Sequence, residues 1–313
     1  MSVSVSNLIL SVASSDDAAG MVQVIHAAFG ARPKLDPPST AILETPATIA
    51  AAVSAGGGIF ATADGHPAGA LVISDCGGGL AIFQRVSVHP AYQRHGVASA
   101  MVAAAQDFAA ELGFERVEVF ARSEFEQLIT FWQHRGFTVD RPEEHGVILA
   151  KKLPVVIEVP TGDAMRALGE RLAPILEPGD LIIASGELGA GKTTLTQGIG
   201  RGLGSEGAII SPTFVLSRVH KSVDDRPDLV HVDAYRLGSA VEVEDLDLDS
   251  GMAGSVTVVE WGEGLAESLA HHRLEIDIRR QTSDDTDTRT VLLRPVGSRW
   301  DGVDLSFLRD AAQ

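Results

Sequence analysis

A single cysteine, Cys76, stands among 313 residues. An intramolecular disulfide and a cysteine-built zinc site are therefore excluded. Cys76 precedes Gly77-Gly78-Gly79 in a turn-like stretch, with no activating pattern nearby, and reads as incidental. Long hydrophobic runs are missing too. No stretch reaches the roughly 18 apolar residues that suggest a bilayer span. The first residues lack the basic segment and long apolar segment of a signal peptide. A cytosolic protein with no membrane partner is expected. Runs of Lys or Arg are also absent, and the formal net charge is -17. Gripping nucleic acid needs clustered cations. Any connection to RNA is therefore expected to be indirect, through a partner protein, with the acidity serving mainly solubility.

Two domains are expected, at about 100–200 residues each, and either half is long enough to bury a core. Two α/β patterns meet near Leu149-Ala150-Lys151-Lys152-Leu153-Pro154. Pro154 and then Pro160-Thr161-Gly162-Asp163 punctuate the chain there, so domains of 1–153 and 154–313 are expected. In the first, Ser15-Asp16-Asp17 caps a helix to about Phe29, and Arg32 to Pro46 reads as a Pro-rich loop. Strands are expected at Gly58–Ala63, Ala68–Ile73, Leu80–Val88 and Arg116–Phe120, with helices at Val97–Leu112 and Glu124–His134. In the second, helices are expected over Asp163–Leu176 and from the glycine-rich loop to about Leu203. Strands are expected at Leu181–Ala184, Phe214–His220, Leu229–Ala234, Ser255–Glu260, Leu274–Ile278 and Thr290–Leu293. The acidic tail after about Val296 reads as a docking helix or a disordered end.

The segment Gly186-Glu187-Leu188-Gly189-Ala190-Gly191-Lys192-Thr193 is a complete phosphate-binding loop, followed by Thr194. An apolar strand enters it and a helix leaves it, which is the context the motif requires. Glycines let the backbone N–H groups turn inward, and these form an anion nest with the helix N-terminus. Lys192 is expected at the β- and γ-phosphates and the Thr193 hydroxyl on Mg²⁺. The only asparagine is Asn7, so the Asn-Lys-x-Asp signature of guanine readers has no place, and ATP is the default. Two acids close apolar strands: Asp233 after Leu229-Val230-His231-Val232, and Glu260 after Val256-Thr257-Val258-Val259. Ligands sit at the carboxyl ends of parallel strands. A carboxylate there can hold Mg²⁺ or orient water, or serve merely as a cap or a solvated acid.

Taken in order, Gly186 to Thr194, Ser211-Pro212-Thr213-Phe214, His231-Val232-Asp233-Ala234-Tyr235-Arg236-Leu237 and Glu260-Trp261 resemble the TsaE family over about residues 155–295. That family is the ATPase subunit of the bacterial machinery for tRNA threonylcarbamoyladenosine. The upstream Leu168-Gly169-Glu170-Arg171-Leu172-Ala173 fits the family's first helix. The resemblance implies a nucleotide held by Glu187, Leu188, Gly189, Ala190, Gly191, Lys192, Thr193 and Thr194, with Trp261 nearby. It implies Mg²⁺ on Thr193 and Glu260, a nucleotide-sensing switch at Ser211-Pro212-Thr213 with Thr213 near the γ-phosphate, and Asp233 needed for turnover. It also implies TsaB and TsaD homologues as partners, with tRNA reached only through them, and hydrolysis that resets the transferase between rounds.

A second phosphate-binding logic lies earlier. In Val86-Ser87-Val88-His89-Pro90-Ala91-Tyr92-Gln93-Arg94-His95-Gly96-Val97-Ala98 a strand ends, a loop follows and a helix starts. By itself this is equally an ordinary strand–helix turn. With Phe131-Trp132-Gln133-His134-Arg135-Gly136-Phe137 it resembles the GCN5-related N-acetyltransferase (GNAT) family over about residues 8–152. The resemblance implies acetyl-CoA, its pyrophosphate on Gln93, Arg94, Gly96, Val97 and Ala98, and its pantetheine arm along the strand holding Val88. Many members carry a Tyr where this chain has Trp132. An indole N–H only donates, so the usual acid for the departing thiolate is missing or supplied elsewhere. Tyr92 reads as structural, and Glu118 as either a base or an exposed strand acid. His89, His95 and His134 form no metal spacing.

The expected fold is α/β twice over: a GNAT-like mixed sheet with helices, then a P-loop NTPase sheet flanked by helices. Three other readings stand beside an ATPase fused to an acetyl-CoA-binding domain. They are a bifunctional enzyme with a working acetyltransferase, a P-loop small-molecule kinase, and a first domain that is only a scaffold or acyl-CoA binder. A kinase would show an acceptor-binding lid, often Arg-rich, and none is seen.

Overall fold

The computed structural model describes residues 7–33, 36–212, 215–223, 225–244, 249–280 and 287–312. The chain divides into two compact units, Met1–Leu153 and Pro154–Gln313. Both are mixed α/β sheets, each of seven strands among the described residues.

The first unit contains β1 (Leu8–Val12), α1 (Ala18–Gly30), α2 (Pro46–Gly56), β2 (Gly58–Ala63), β3 (His66–Asp75) and β4 (Leu80–Val88). It continues with α3 (Val97–Glu111), β5 (Arg116–Arg122), α4 (Glu126–Gln133), β6 (Thr138–Glu143) and β7 (Gly146–Lys152). The sheet order is β1-β2-β3-β4-β5-β7-β6. Ser14 N–H donates to Asp17 Oδ2 at 2.8 Å just ahead of α1. α2 begins inside the segment read as a Pro-rich loop. Thr45 caps it through Thr48 N–H, and Pro46 takes the first turn, where no N–H is missed. Alternation along the strands sends Phe60, Ala70 and Val72 into one core with Met21, Ile25, Ile49 and Val53 of the first two helices.

One feature of this sheet shapes the site. β4 and β5 run parallel but pair only at Leu80↔Arg116, Ala81↔Val117 and Ile82↔Glu118. Beyond that β4 carries a bulge, seen as a register shift against β3, with Arg85 at φ 53. A bulge bends the strand that carries it. The two strands therefore run on as the unpaired sides of a gap.

The second unit contains β8 (Val155–Val159), α5 (Gly162–Leu172), β9 (Leu181–Gly186), α6 (Lys192–Gly202), β10 (Ser217–His220) and β11 (Asp228–Asp233). After these come β12 (Ser255–Glu260), β13 (Arg273–Arg280) and β14 (Arg289–Val296). The sheet order is β10-β11-β12-β9-β13-β14-β8. The four central strands β11, β12, β9 and β13 are parallel. β11, β12 and β9 read as near-continuous apolar runs because both faces are covered, whereas β13 alternates charged and buried apolar residues. Ile182, Ala184, Val256 and Val258 pack on Leu168, Leu172, Leu195 and Ile199 of α5 and α6. Leu181, Ile183, Val232 and Val259 face the other way, with Met252 and Ala266. The tail docks as two 3₁₀ turns, Ser298–Trp300 and Ser306–Ala312. Trp300, Leu305 and Leu308 are buried in the core, and Arg299 grips Asp180 at 2.9 and 3.0 Å. Among the described residues no helix is long and apolar enough to cross a membrane.

Candidate functional site

In the second unit the parallel register sets Asp233 opposite Glu260 and Glu260 opposite Ala184. The carboxyl ends of β11, β12 and β9 therefore lie side by side, and the glycine-rich loop leaves from the same edge. Gly186 adopts φ 137, and a Cβ there would lie 2.4 Å from Ile278 O, so only glycine lets the chain turn off β9 beside β13. Gly191, at φ 118, caps α6, and Lys192 is its first helical residue. The unpaired N–H groups of that first turn face the loop. Glu187, Leu188 and Gly189 are exposed at its tip, Ala190 is buried, and Thr193 and Thr194 are half-buried.

Lys192 is buried. Its ammonium donates to Gly186 O at 2.7 Å and Glu187 O at 3.0 Å, and lies 3.7 Å from the Trp261 ring centroid. Burial pulls its pKa down, against the pull of Glu260 and Asp233. Thr193 Oγ1 lies 3.0 Å from Glu260 Oε2. Two hard oxygen donors in contact suit a small divalent cation such as Mg²⁺. Glu260 Oε1 accepts from His231 Nε2 at 2.7 Å in a buried pair. Asp233 Oδ2 accepts from Ser211 Oγ at 3.1 Å, and its Oδ1 accepts from Tyr235 N–H at 3.1 Å. Trp261 has φ 61, and its ring centroid lies 5.2 Å from that of Tyr235.

The residues expected from the sequence thus converge on one edge: Lys192, Thr193, Asp233, Glu260 and Trp261. Ser211 joins them, while Thr213 lies outside the described residues. Two residues given no role by the sequence also reach the site. His231 holds the second oxygen of Glu260; the signal was a histidine in the middle of an otherwise apolar strand. Arg289 donates from β14 to Ala190 O at 3.2 Å, and nothing in its local pattern marks it.

In the first unit Val88 ends β4, a 3₁₀ turn Pro90–Tyr92 follows, and Gln93 Nε2 donates back to Val88 O at 3.4 Å. Arg94 and Gly96 take positive φ of 66 and 79, and Gly96 caps α3, opening the helix at Val97 and Ala98. The loop and helix start therefore lie beside the gap between β4 and β5. Arg135 bonds Ser99 in the first turn of α3 and stacks 3.4 Å over the Phe131 ring. Trp132 is buried against Phe131 and Phe137.

Glu118 requires a correction. It is neither exposed nor poised as a base. It is buried, takes Arg141 in a two-pronged pair at 2.8 and 2.9 Å, and takes Arg116 at 3.1 Å. Strand alternation alone would expose it, but β6 brings Arg141 across. The Arg141 bonds, with help from Arg116 and against burial, hold its carboxyl below the usual range. A depressed pKa contributes stability that is full above the unfolded value, about 4.5, and lost as pH falls through the folded value. Glu118→Gln should therefore destabilise this unit by about 1–3 kcal/mol at neutral pH and flatten its loss of stability in acid. Unfolding followed from neutral pH into acid would show it; identical profiles for both proteins would refute it.

The family model for threonylcarbamoyl adenosine biosynthesis protein TsaE matches residues 159–291. The tRNA threonylcarbamoyladenosine biosynthesis protein TsaE of Streptomyces coelicolor is 57% identical over 146 residues, 46% of this chain and 99% of that protein. The chain belongs to the TsaE family. Ahead of its TsaE region, the acetyltransferase (GNAT) family model matches residues 23–137, so the TsaE region is fused to a GNAT domain. Among solved structures, Bacillus subtilis YdiB is 28% identical with a TM-score of 0.39, covering 51% of this chain and 93% of its own. The Thermoplasma acidophilum PaiA N-acetyltransferase, solved with coenzyme A, is 14% identical with a TM-score of 0.41, covering 47% and 99%.

Proposed function

We propose that the TsaE region binds and hydrolyses ATP with Mg²⁺ in support of TsaB and TsaD homologues during tRNA threonylcarbamoyladenosine synthesis, and that the GNAT domain binds acetyl-CoA. The observation that carries the first part is the convergence of Lys192, Thr193, Asp233 and Glu260 on one sheet edge beside a glycine-rich loop. Loop amides and the α6 N-terminus receive the phosphates. Lys192 exchanges its two carbonyl partners and the Trp261 face for phosphate oxygens. Thr193 and Glu260 would hold Mg²⁺, which, bound, screens phosphate charge. His231 fixes the Glu260 carboxylate by taking its other oxygen. Asp233, held by Ser211 and the Tyr235 N–H, orients the attacking water. The Ser211 bond also ties Asp233 to the switch segment, so nucleotide state and switch position are coupled there.

The net charge of -17 and the want of cationic runs support an indirect link to tRNA. The isolated protein should hydrolyse Mg·ATP slowly, bind tRNA weakly, and be stimulated by TsaB and TsaD homologues. Phosphate release with and without these partners, beside a tRNA titration at two salt concentrations, checks this. Strong, salt-sensitive tRNA binding by the protein alone would contradict it.

For the GNAT domain the supporting observation is the gap between β4 and β5 with the Gly96-capped helix beside it. Trp132 is buried where many relatives carry a tyrosine acid. Acetyl-CoA binding with slow transfer is the reading these residues favour.

A further inference from the structure

Both sides of the β4–β5 gap are tied to one segment of chain. On the β4 side, Arg85 donates to Glu44 Oε1 at 2.7 Å and to Thr40 Oγ1 at 3.1 Å. On the β5 side, Arg122 donates to Asp36 O at 2.9 Å and Pro37 O at 2.8 Å. Residues 36–44 of the connection between α1 and α2 therefore lie across the place where the two strands have stopped pairing. Arg32 opens that connection. Its guanidinium carbon lies 3.9 Å from the Phe29 ring centroid and 5.8 Å from that of Phe125, the residue leading from β5 into α4.

The three arginines around this gap differ in one respect. Arg85 has Glu44 and Arg122 has Glu124 at 2.7 Å each. Arg32 is half-buried between two aromatic rings and has no acidic partner among the described residues. Burial pulls its pKa down, and no acid among the described residues offsets the cost. The guanidinium fork is shaped for a carboxylate, which it binds through two parallel bonds.

We propose that the GNAT domain acetylates a small amine that carries a carboxylate, and that Arg32 receives that carboxylate at the mouth of the β4–β5 gap. The assignment rests on the acetyl-CoA reading above and names its acceptor. The amine lone pair attacks the thioester carbonyl carbon. The new C–N bond forms, the C–S bond breaks, and the amine's proton ends on the coenzyme A sulfur. No oxidant or further reactant is needed.

The test uses the full-length protein. Calorimetry first measures acetyl-CoA binding. Thiol release is then followed with an α-amino acid and with its carboxamide. Calorimetry on the coenzyme A-loaded protein compares the matching N-acetyl acid and N-acetyl amide, a readout independent of turnover. The acid should be preferred by about tenfold or more in both experiments, the scale of one charge-assisted pair. Arg32→Gln should erase the preference without changing acetyl-CoA affinity, and Arg32→Lys should keep part of it. Equal use of acid and amide by a protein that binds acetyl-CoA would overturn the Arg32 assignment alone. A preference for phosphoethanolamine over every carboxylate would overturn the carboxylate and leave an anion site. Absence of acetyl-CoA binding would overturn both the assignment and the reading beneath it.

Discussion

Lys192→Ala should lower ATP turnover by about 10²–10³-fold, the usual scale for removing one preorganised donor from a charged transition state, and weaken Mg·ATP binding. The side chain is the cation at the loop, held by Gly186 O, Glu187 O and the Trp261 ring. Each of these holds is one that phosphate oxygens can replace. Burial has already lowered its pKa, so part of its desolvation cost is met before any nucleotide arrives. An anion that approaches therefore gains a strong partner at little extra cost. The truncation should leave the fold standing. The two carbonyls it frees lie at Gly186 and Glu187, where the loop becomes exposed and water can replace the ammonium. Phosphate release by the purified variant, with circular dichroism matched to the parent, gives the answer. Turnover equal to the parent's would remove the nucleotide assignment altogether.

How far the sequence could be read depended on whether local pattern or distant pairing decided each feature. The glycine-rich loop was legible because a strand, a turn rich in positive φ and a helix start all lie within one short stretch. The β11 and β12 acids were legible because apolar runs buried on both faces end sharply. α2 was not, because Pro46 and the prolines ahead of it suggested a loop, although Thr45-Pro46-Ala47-Thr48 is a helix-start pattern. β1 and β8 are end members whose partners, β2 and β14, lie about 50 and 130 residues along the chain, a pairing that neither short segment announces. Glu118 was misjudged for the same reason. Its own strand alternates correctly, but Arg141 comes from a later one. Arg289 reaches the loop because β14 lies beyond β13, a matter of sheet order. Arg32 has no motif at all, and it stands out only once the acids around it have been paired with other arginines.

Asp233→Ala should separate binding from turnover, losing about 10²–10⁴-fold in hydrolysis, the range for a positioned proton-handling group, while keeping most of its ATP affinity. Its carboxylate accepts from Ser211 Oγ and the Tyr235 N–H, whereas Thr193 and His231 are tied to Glu260. The two acids lie opposite each other in register and yet belong to different hydrogen-bond sets. Removing Asp233 therefore leaves the loop amides, Lys192 and the Thr193–Glu260 pair in place, the groups proposed to supply most phosphate and metal contacts. What is lost is the group proposed to orient water and one anchor of Ser211. Since Ser211 belongs to the proposed switch, the variant should also respond less to TsaB and TsaD homologues if the link between nucleotide and switch runs through that bond. Titration of a fluorescent ATP analogue beside phosphate release, each with and without the partners, distinguishes these effects. If Asp233→Ala hydrolysed ATP normally, water orientation would have to come from another group. If it lost nucleotide binding in step with turnover, Asp233 would belong to the binding set with Glu260, and the division of labour between the two strand-end acids would be wrong.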